Sequence, residues 1–201
     1  MFRQPQQYFM KSGKGFVCGV PFLAFFASVI WVVKDAAGAE ALQVQVAGLK
    51  ANEVIPKKFV YNHSGCSGDN TSPEITWSGV PASAKSLALV VWDQDAPVSG
   101  GFYHWVILNV PIGTKGLAEG AGNPTSHKAP AGSVQLFNDW GEPGYGGPCP
   151  PGHSRHRYHF ILYALGVTRL PATIKTRVSD AAAQIKQAAV ANTEVVLVYG
   201  H

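Results

Sequence analysis

The chain has 201 residues, of which 46% are hydrophobic, 14% charged and 11% aromatic, with 22 Gly and 14 Pro. This composition predicts a globular domain rich in turns, and it excludes a disordered tail protein, a coiled coil and a collagen-like fibre. The formal net charge of +4 must be recounted after any targeting segment is set aside.

The N-terminal segment has the layout of a targeting sequence. Residues 1–14 are polar and carry three basic side chains, and residues 16–33 are apolar without a charge. The small residues Ala37-Gly38-Ala39 follow, a triplet that a signal peptidase accepts. The pattern therefore predicts a signal peptide over residues 1–39 and a mature start at Glu40.

The alternative is an uncleaved N-terminal anchor, because about eighteen apolar residues lie at the lower limit for crossing a bilayer. Pro21 argues against a continuous span, since it interrupts the apolar run. In both cases residues 40–201 are exported, so we expect a periplasmic or secreted protein that meets a membrane only through an uncleaved N-terminal segment.

The basic character of the chain comes mostly from this segment. Residues 1–39 hold four of the 16 Lys and Arg residues and one of the 12 Asp and Glu residues, so the remainder has a net charge near +1. A nearly neutral domain does not have the basic surface that nucleic-acid binding requires, and no nucleic-acid partner is expected.

Seven runs of β-branched, aromatic or alternating residues predict strands. They are residues 42–49, 59–61, 75–77, 87–92, 105–110, 158–165 and 195–199. The Gly- and Pro-rich stretch 111–152 has no lasting period and predicts a long functional loop. Residues 179–191 predict one helix with Ser179 as its N-cap. The fold class is mainly β, with a helix near the C-terminus.

Polar residues at the strand ends are the candidates for chemistry. Residues i and i+2 of an extended chain point the same way, so Asp93 and Asp95 are predicted to emerge together after a buried strand. A simpler interpretation is that both are solvated turn residues. His104 opens the next predicted strand, and His156 and Tyr158 share one face where a later strand begins.

A glycine-rich segment, residues 144–152, precedes His156. Glycine permits backbone conformations in which successive N–H groups converge on an anion. The segment is therefore a candidate wall for an anion-binding hollow.

Four segments together resemble the phosphatidylethanolamine-binding protein family, in its bacterial branch of Raf-kinase-inhibitor-like proteins. They are SPEITWSGVP (72–81), SLALVVWDQDAP (86–97), GFYHWVILNVP (101–111) and NDWGEPGYGGPCPPGHSRHRYHFILYAL (138–165).

The resemblance implies a β-sandwich over residues 40–201, with a C-terminal helix, peripheral loops and a small pre-formed pocket. That pocket would bind anions such as phosphate or a phospholipid head group without catalysis. At matching positions the ligand-binding residues would be Asp93, Asp95, His104, Gly147, Pro148, His156 and Tyr158.

The charges of these residues favour particular ligands. Two carboxylates repel a bare phosphate, so the set suits either an anion bound by protonated imidazoles or a zwitterion whose ammonium meets the carboxylates. Because imidazole titrates near pH 6.5, phosphate affinity is expected to rise as the pH falls from about 8 to 6. The resemblance also leaves open a protein-interaction module that acts as a protease or kinase inhibitor, and for an exported chain the partner would be a secreted protease.

Other functions have weaker support in the sequence. His153, His156 and His159 have a metal-like spacing, but side chains three apart on a strand face opposite sides, so no metal is expected. The sequence contains no motif of an activated nucleophile, so no enzyme activity is expected. No cofactor is expected either.

Two cysteines, Cys66 and Cys149, remain after the targeting segment. In an oxidising compartment we expect one disulfide between them, which would fix an early loop against the pocket wall. The alternative is two buried free thiols.

Overall fold

The computed structural model describes residues 40–152 and 154–200. The predicted signal peptide, residues 1–39, and His153 lie outside the described residues. No helix within the described ranges has the length and apolar character needed to cross a membrane. The strands are β1 (Gln43–Val46), β2 (Ile75–Ser78), β3 (Ser86–Asp93), β4 (Phe102–Pro111), β5 (Gly116–Leu117), β6 (Val134–Gln135), β7 (His156–Leu165) and β8 (Ala189–Tyr199), and the helix is α1 (Val178–Ala188).

The strands form two antiparallel sheets. The smaller sheet has the order β1-β2-β5, and the larger has the order β6-β4-β3-β7-β8. Strand β3 lies at the centre of the larger sheet between β4 and β7, so polar groups at its end are flanked on both sides by neighbouring strands.

The larger sheet is buried on both faces because its central strands are apolar at successive positions. Leu87 and Leu89 of β3 contribute to a core shared with residues of the smaller sheet. Ala88 and Val90 point the other way, into a second core that includes Ile185 of α1. Alternate side chains of β3 therefore pack against the smaller sheet on one face and against α1 on the other. The mainly β fold expected from the sequence is confirmed.

Two predicted elements at the N-terminal side are different in the structure. The predicted strand 42–49 ends at Val46, because Ala47 and Gly48 both have positive φ angles and turn the chain. The predicted extended piece 59–61 is wrong at its start, since a 3-10 turn spans Lys57–Phe59. The Phe59 N–H donates to the carbonyl of Pro56 at 2.9 Å and closes that turn.

The predicted helix 179–191 is wrong at its C-terminal end. Helix α1 ends at Ala188, and Ala189 is already extended, with φ −69° and ψ 131°. Strand β8 follows and pairs along β7 over its whole length. Alanine is the best helix former, but the helix propensity of a single residue is worth less than about 1 kcal/mol, so the ladder with β7 outweighs it. The N-cap is Arg177 without a side-chain capping bond, and not the predicted Ser179.

The stretch 111–152 is mostly irregular, as predicted, but it carries the short strands β5 and β6. These short strands connect the stretch to both sheets, because β5 pairs with β2 in the smaller sheet and β6 pairs with β4 in the larger one. Its last part returns across the end of the larger sheet, where β3 ends and β7 begins.

Candidate functional site

A cavity of about 490 Å³ opens where β3 ends and β7 begins. Four buried polar side chains of the central strands line it, and they are Asp93, His104, His156 and Tyr158. Much of its wall is apolar, and this part comprises Ala96, Pro97, Val98, Phe102, Trp140, Pro150 and Pro151. The cavity therefore combines a small polar group of side chains with a larger apolar surface, as is typical of small-molecule sites.

The sheet register brings these polar residues together. Asp93 is directly opposite Phe102 of β4 and Tyr158 of β7. His104 and His156 each lie two positions from one of those partners, on the same face of their strands. The predicted convergence of these four residues is thus a direct result of antiparallel pairing around β3.

Asp93 and His156 form a buried pair. Oδ2 of Asp93 lies 2.7 Å from Nδ1 of His156, and the two side chains are only 4% and 5% exposed. On the far side of the ring, Nε2 of His156 lies 2.9 Å from the hydroxyl oxygen of Ser154. The other carboxylate oxygen of Asp93 accepts the N–H of Asp95 at 2.9 Å. These contacts fix both the carboxylate and the imidazole ring.

His104 is buried and electrically neutral near pH 7. Burial is the main cause of a lowered pKa, which is about 4 for this imidazole. The hydrogen bond to Gly146 raises the pKa and offsets only part of this effect. Nδ1 lies 2.7 Å from the carbonyl oxygen of Gly146. A carbonyl can only accept, so Nδ1 carries the proton and Nε2 has a free lone pair. A protonated His104 therefore does not contribute to the rise in phosphate affinity expected between pH 8 and 6, and that rise stays a prediction.

Tyr158 provides a buried hydroxyl group. Its oxygen has no hydrogen-bond partner among the described residues. Burial, followed by the nearby charge of Asp93, raises the pKa of this phenol well above its usual value, so the hydroxyl keeps its proton. Buried polar atoms without a partner are uncommon in folded proteins and indicate a place for a ligand or an ordered water.

Asp95 does not accompany Asp93 into the cavity. Strand β3 ends at Asp93, so the alternation that would place both carboxylates on one face does not continue. Asp95 instead forms two side-chain bonds to the Arg157 guanidinium, at 2.9 and 2.6 Å. These bonds lower the pKa of Asp95 to about 2. Asp95 is thus part of an exposed ion pair beside the cavity.

Gly147 and Pro148 pack behind the cavity wall and do not line it. The Gly147 N–H donates to Oδ1 of Asn70 at 2.8 Å, and the Pro148 carbonyl accepts the N–H of Tyr61 at 3.1 Å. A Cβ on Gly147 would lie 2.2 Å from the carbonyl oxygen of Phe59, which explains the glycine there.

The N–H groups of residues 144–147 all donate to other protein oxygens. The anion-binding hollow that the sequence predicted in this part of the segment is therefore absent from residues 144–147.

Cys66 and Cys149 form a disulfide, with their Cα atoms 5.9 Å apart. Both residues line the cavity, together with Ser64 and Gly65 of the early loop. The crosslink therefore joins that loop to the segment that precedes β7, which agrees with the pairing expected from the sequence.

Two of the three histidines with metal-like spacing, His156 and His159, have separate partners. His156 contacts Asp93, whereas His159 contacts Glu194 at 2.9 Å on the other face of β7. His153 lies outside the described residues. Within residues 40–152 and 154–200, no group of three or more metal-ligating side chains converges.

Comparison with known proteins identifies the family of the chain. A family model described as phosphatidylethanolamine-binding protein matches residues 47–200. The chain belongs to this family.

Relatives of known sequence or structure cover most of the chain. The chain is 36% identical to the UPF0098 protein YbcL of Escherichia coli over 174 residues, which is 86% of this chain and 95% of that protein. The structural match with the crystal structure of YbcL covers 81% of this chain and 99% of the YbcL chain, with a TM-score of 0.78.

Two further relatives extend this comparison. A phosphatidylethanolamine-binding protein homologue from Chlamydia trachomatis, CT736, is 33% identical and covers 80% of this chain and 98% of that one, with a TM-score of 0.66. The putative lipoprotein LppC of Mycobacterium tuberculosis is 38% identical over 142 residues, which is 70% of this chain and 64% of LppC.

Three residues at the cavity were not among the candidates predicted from the sequence. Phe102 and Trp140 line the cavity with their rings 4.7 Å apart, and Ser154 contacts His156. Ser154 lies two residues before His156, a spacing that places two side chains on one side of an extended chain, so this signal was present in the sequence. The position of Trp140 depends on a loop and had no comparable signal.

Proposed function

We propose that this protein binds a small zwitterionic phosphate ester, of the kind found in a phospholipid head group, in the cavity beside Asp93. The observation that carries the proposal is a buried carboxylate paired with one imidazole, lying at the base of apolar and aromatic walls.

The charges around the cavity favour a zwitterion over a bare phosphate. Within the described residues, no Lys or Arg lines the cavity. His104 is neutral near pH 7 because burial lowers its pKa to about 4. A phosphate dianion would meet the carboxylate of Asp93 without a permanent cation beside it, whereas an ammonium group would be attracted to that carboxylate.

Neutral groups would hold the rest of the head group. The Tyr158 hydroxyl keeps its proton and has no partner in the described structure, so it can donate to a phosphoryl oxygen. Phe102, Trp140 and the half-exposed Val98 form apolar wall surface. They suit the glycerol and first methylene groups of a lipid, which gain free energy when they leave water.

The test is a titration of the purified protein followed by two-dimensional NMR at pH 7, with phosphoethanolamine, inorganic phosphate and ethanolamine as separate ligands. We expect saturable shifts at Asp93, His104 and Tyr158 with phosphoethanolamine, and much weaker binding of phosphate alone. Equal affinity for phosphate would overturn the zwitterion preference, and an unperturbed spectrum with all three ligands would overturn the binding site.

A matched pair of variants makes this test specific. Asp93→Asn should weaken phosphoethanolamine binding by about 10- to 100-fold, the usual effect of losing a hydrogen bond to a charged group. Glu194→Gln is the control, since Glu194 also contacts a histidine, His159 at 2.9 Å, but does not line the cavity. Its affinity should match that of the unmodified protein.

We further propose that the protein acts outside the cytoplasm. The targeting pattern of residues 1–39, the disulfide and the similarity to a putative lipoprotein all support export. Binding of a secreted protease stays a prediction from the sequence.

A further inference from the structure

Three side chains beside the cavity form a continuous chain of hydrogen-bonding groups. The Ser154 hydroxyl oxygen is 2.9 Å from Nε2 of His156, and Nδ1 of His156 is 2.7 Å from Oδ2 of Asp93. A hydroxyl, an imidazole and a carboxylate in this order make up the relay of serine hydrolases, which is recognised by geometry and not by sequence position. We propose that Ser154 is a nucleophile for the hydrolysis of small carboxylic esters, an activity beyond the binding function proposed above.

The burial of the three groups suits this role. Asp93 and His156 are almost completely buried, so their contact is protected from water, whereas Ser154 is exposed to solvent. Gly152 and His156, two residues before and two after Ser154, both line the cavity. An ester can therefore place its acyl group in the cavity and its carbonyl carbon near the exposed hydroxyl.

The serine hydroxyl has two acceptors within reach. Its oxygen lies 2.9 Å from the carbonyl oxygen of Pro151 and 2.9 Å from Nε2 of His156. A hydroxyl has one hydrogen, so it donates either to Pro151 or to a neutral His156. The reactive arrangement is the second one, with the hydrogen on Nδ1 donated to Asp93.

The reaction needs water as its only co-reactant. The Ser154 oxygen attacks the ester carbonyl carbon while Nε2 of His156 takes the hydroxyl proton, and the C–O bond to the alcohol then breaks as that proton passes to the leaving oxygen. Water next attacks the acyl-serine and gives a proton to Nε2. The bond to Ser154 breaks, and the serine oxygen takes the proton back. Asp93 acts as a positioning residue in this reaction, since its Oδ2 contacts the imidazole and its Oδ1 accepts the N–H of Asp95, so it reaches the ester only through His156.

The walls of the cavity select the class of ester. Phe102, Trp140 and three proline residues form apolar surface, and no Lys or Arg of the described residues lines the cavity. A transferred phosphoryl group needs cations to neutralise its oxygens, whereas a small apolar acyl group needs only apolar contact. The arrangement therefore favours the hydrolysis of carboxylic esters over that of phosphate esters, whereas the binding of a phosphate ester, as proposed above, involves no phosphoryl transfer.

The sequence predicted no enzyme activity, because it contains no contiguous nucleophile motif. The three groups come from the end of β3, the start of β7 and the residues just before β7, so no short motif could contain them. The following experiment decides between that prediction and the proposal.

The full-length purified protein is incubated with a fluorophosphonate probe and, separately, with p-nitrophenyl butyrate. We expect one covalent adduct, located at Ser154 by peptide mass spectrometry, and ester hydrolysis that Ser154→Ala and His156→Gln lower by at least about 100-fold. The matched control is Ser133→Ala, because the Ser133 hydroxyl likewise donates to the proline carbonyl three residues earlier, at 2.6 Å, but contacts no imidazole. This variant should hydrolyse the ester at the unmodified rate.

Absence of an adduct, an adduct at another residue, or unchanged hydrolysis by Ser154→Ala would overturn the proposal. Phosphoethanolamine binding by Ser154→Ala is measured on the same sample, so that failure of the hydrolase proposal can be distinguished from failure of the binding proposal. For Asp93→Asn, the ratio of the two His156 tautomers is measured by ¹⁵N NMR. A positioning role requires that this ratio change, and an unchanged ratio would exclude it.

Discussion

Two carboxylates only two residues apart on the chain have opposite environments. Asp93 lies 2.7 Å from His156, and both side chains are at most 5% exposed. Asp95 lies 2.6 Å from Arg157, and these side chains are 26% and 53% exposed. The contact distances are nearly equal, so distance does not distinguish the two pairs.

Burial is what separates them. Water and salt screen the Asp95–Arg157 pair, and exposed pairs of this kind contribute little to stability. Asp93 and His156 have lost their hydration, so each depends on the other for compensation, and removal of one partner leaves a costly unpaired group. The buried pair also lines the cavity, which is why the proposed binding site is placed there, whereas the exposed pair lies beside the cavity.

Asp93→Ala should cause the largest loss of stability. The substitution leaves His156 buried without its carboxylate, which costs about 3–5 kcal/mol of unfolding free energy when a buried pair is broken. Urea denaturation followed by tryptophan fluorescence measures the change, and Asp93→Asn should lose less because an acceptor oxygen remains. A loss below about 1 kcal/mol for Asp93→Ala would show that the two pairs are equivalent.

Removal of the disulfide should have the next largest effect. Cys66 and Cys149 are 83 positions apart, and the loss of a native crosslink typically costs about 2–5 kcal/mol. The variant Cys66→Ser/Cys149→Ser is compared with the unmodified protein in urea, with and without reductant. A titration that finds two free thiols in the unreduced, denatured protein comprising residues 40–201, which lacks Cys18, would contradict the crosslink itself.

His104 should make stability fall in mild acid. Its pKa is about 4 in the folded protein and near 6.5 when unfolded, so its contribution is complete above pH 6.5 and is lost as the pH falls toward 4. This amounts to about 2 kcal/mol between pH 7 and 5. Urea denaturation at both pH values should show that the free energy of unfolding falls less in His104→Gln than in the unmodified protein. An equal fall in the two proteins would refute a buried, neutral His104.

Asp95→Asn should have the smallest effect, about 0–1 kcal/mol at pH 7, because the pair with Arg157 is exposed. The pKa of Asp95 is about 2 in the folded protein and 3.8 in the unfolded chain. The contribution of the ion pair to stability is therefore present above pH 3.8 and is lost as the pH falls through 2. Thermal unfolding of both proteins should converge at the acid end. A loss as large as that of Asp93→Ala would remove the distinction between the pairs.

The sequence predicted the strands that build the site better than the turns around it. Strands β3, β4 and β7 are long runs of β-branched and aromatic residues, so their existence followed from composition alone. The end of α1 did not, because alanine at residue 189 favours helix locally and only pairing with β7 makes it extended.

The site residues divide in the same way. Asp93, His104, His156 and Tyr158 lie within paired strands, so the period of two placed them on one face. Asp95 and Gly147 lie in turns, where that period does not hold and contacts with Arg157 and Asn70 decide their orientation.

The sequence by itself determined the mainly β class, because strand periodicity and residue chemistry act locally. It also indicated Asp93, His104, His156 and Tyr158 as candidate site residues and Cys66 and Cys149 as a candidate pair. Only the tertiary structure decided which carboxylate is buried, where α1 gives way to β8, and that Trp140 lines the cavity. The physical reason is that burial and hydrogen-bond partners depend on segments far apart in the chain, whose free energies of packing exceed the small local preferences of single residues.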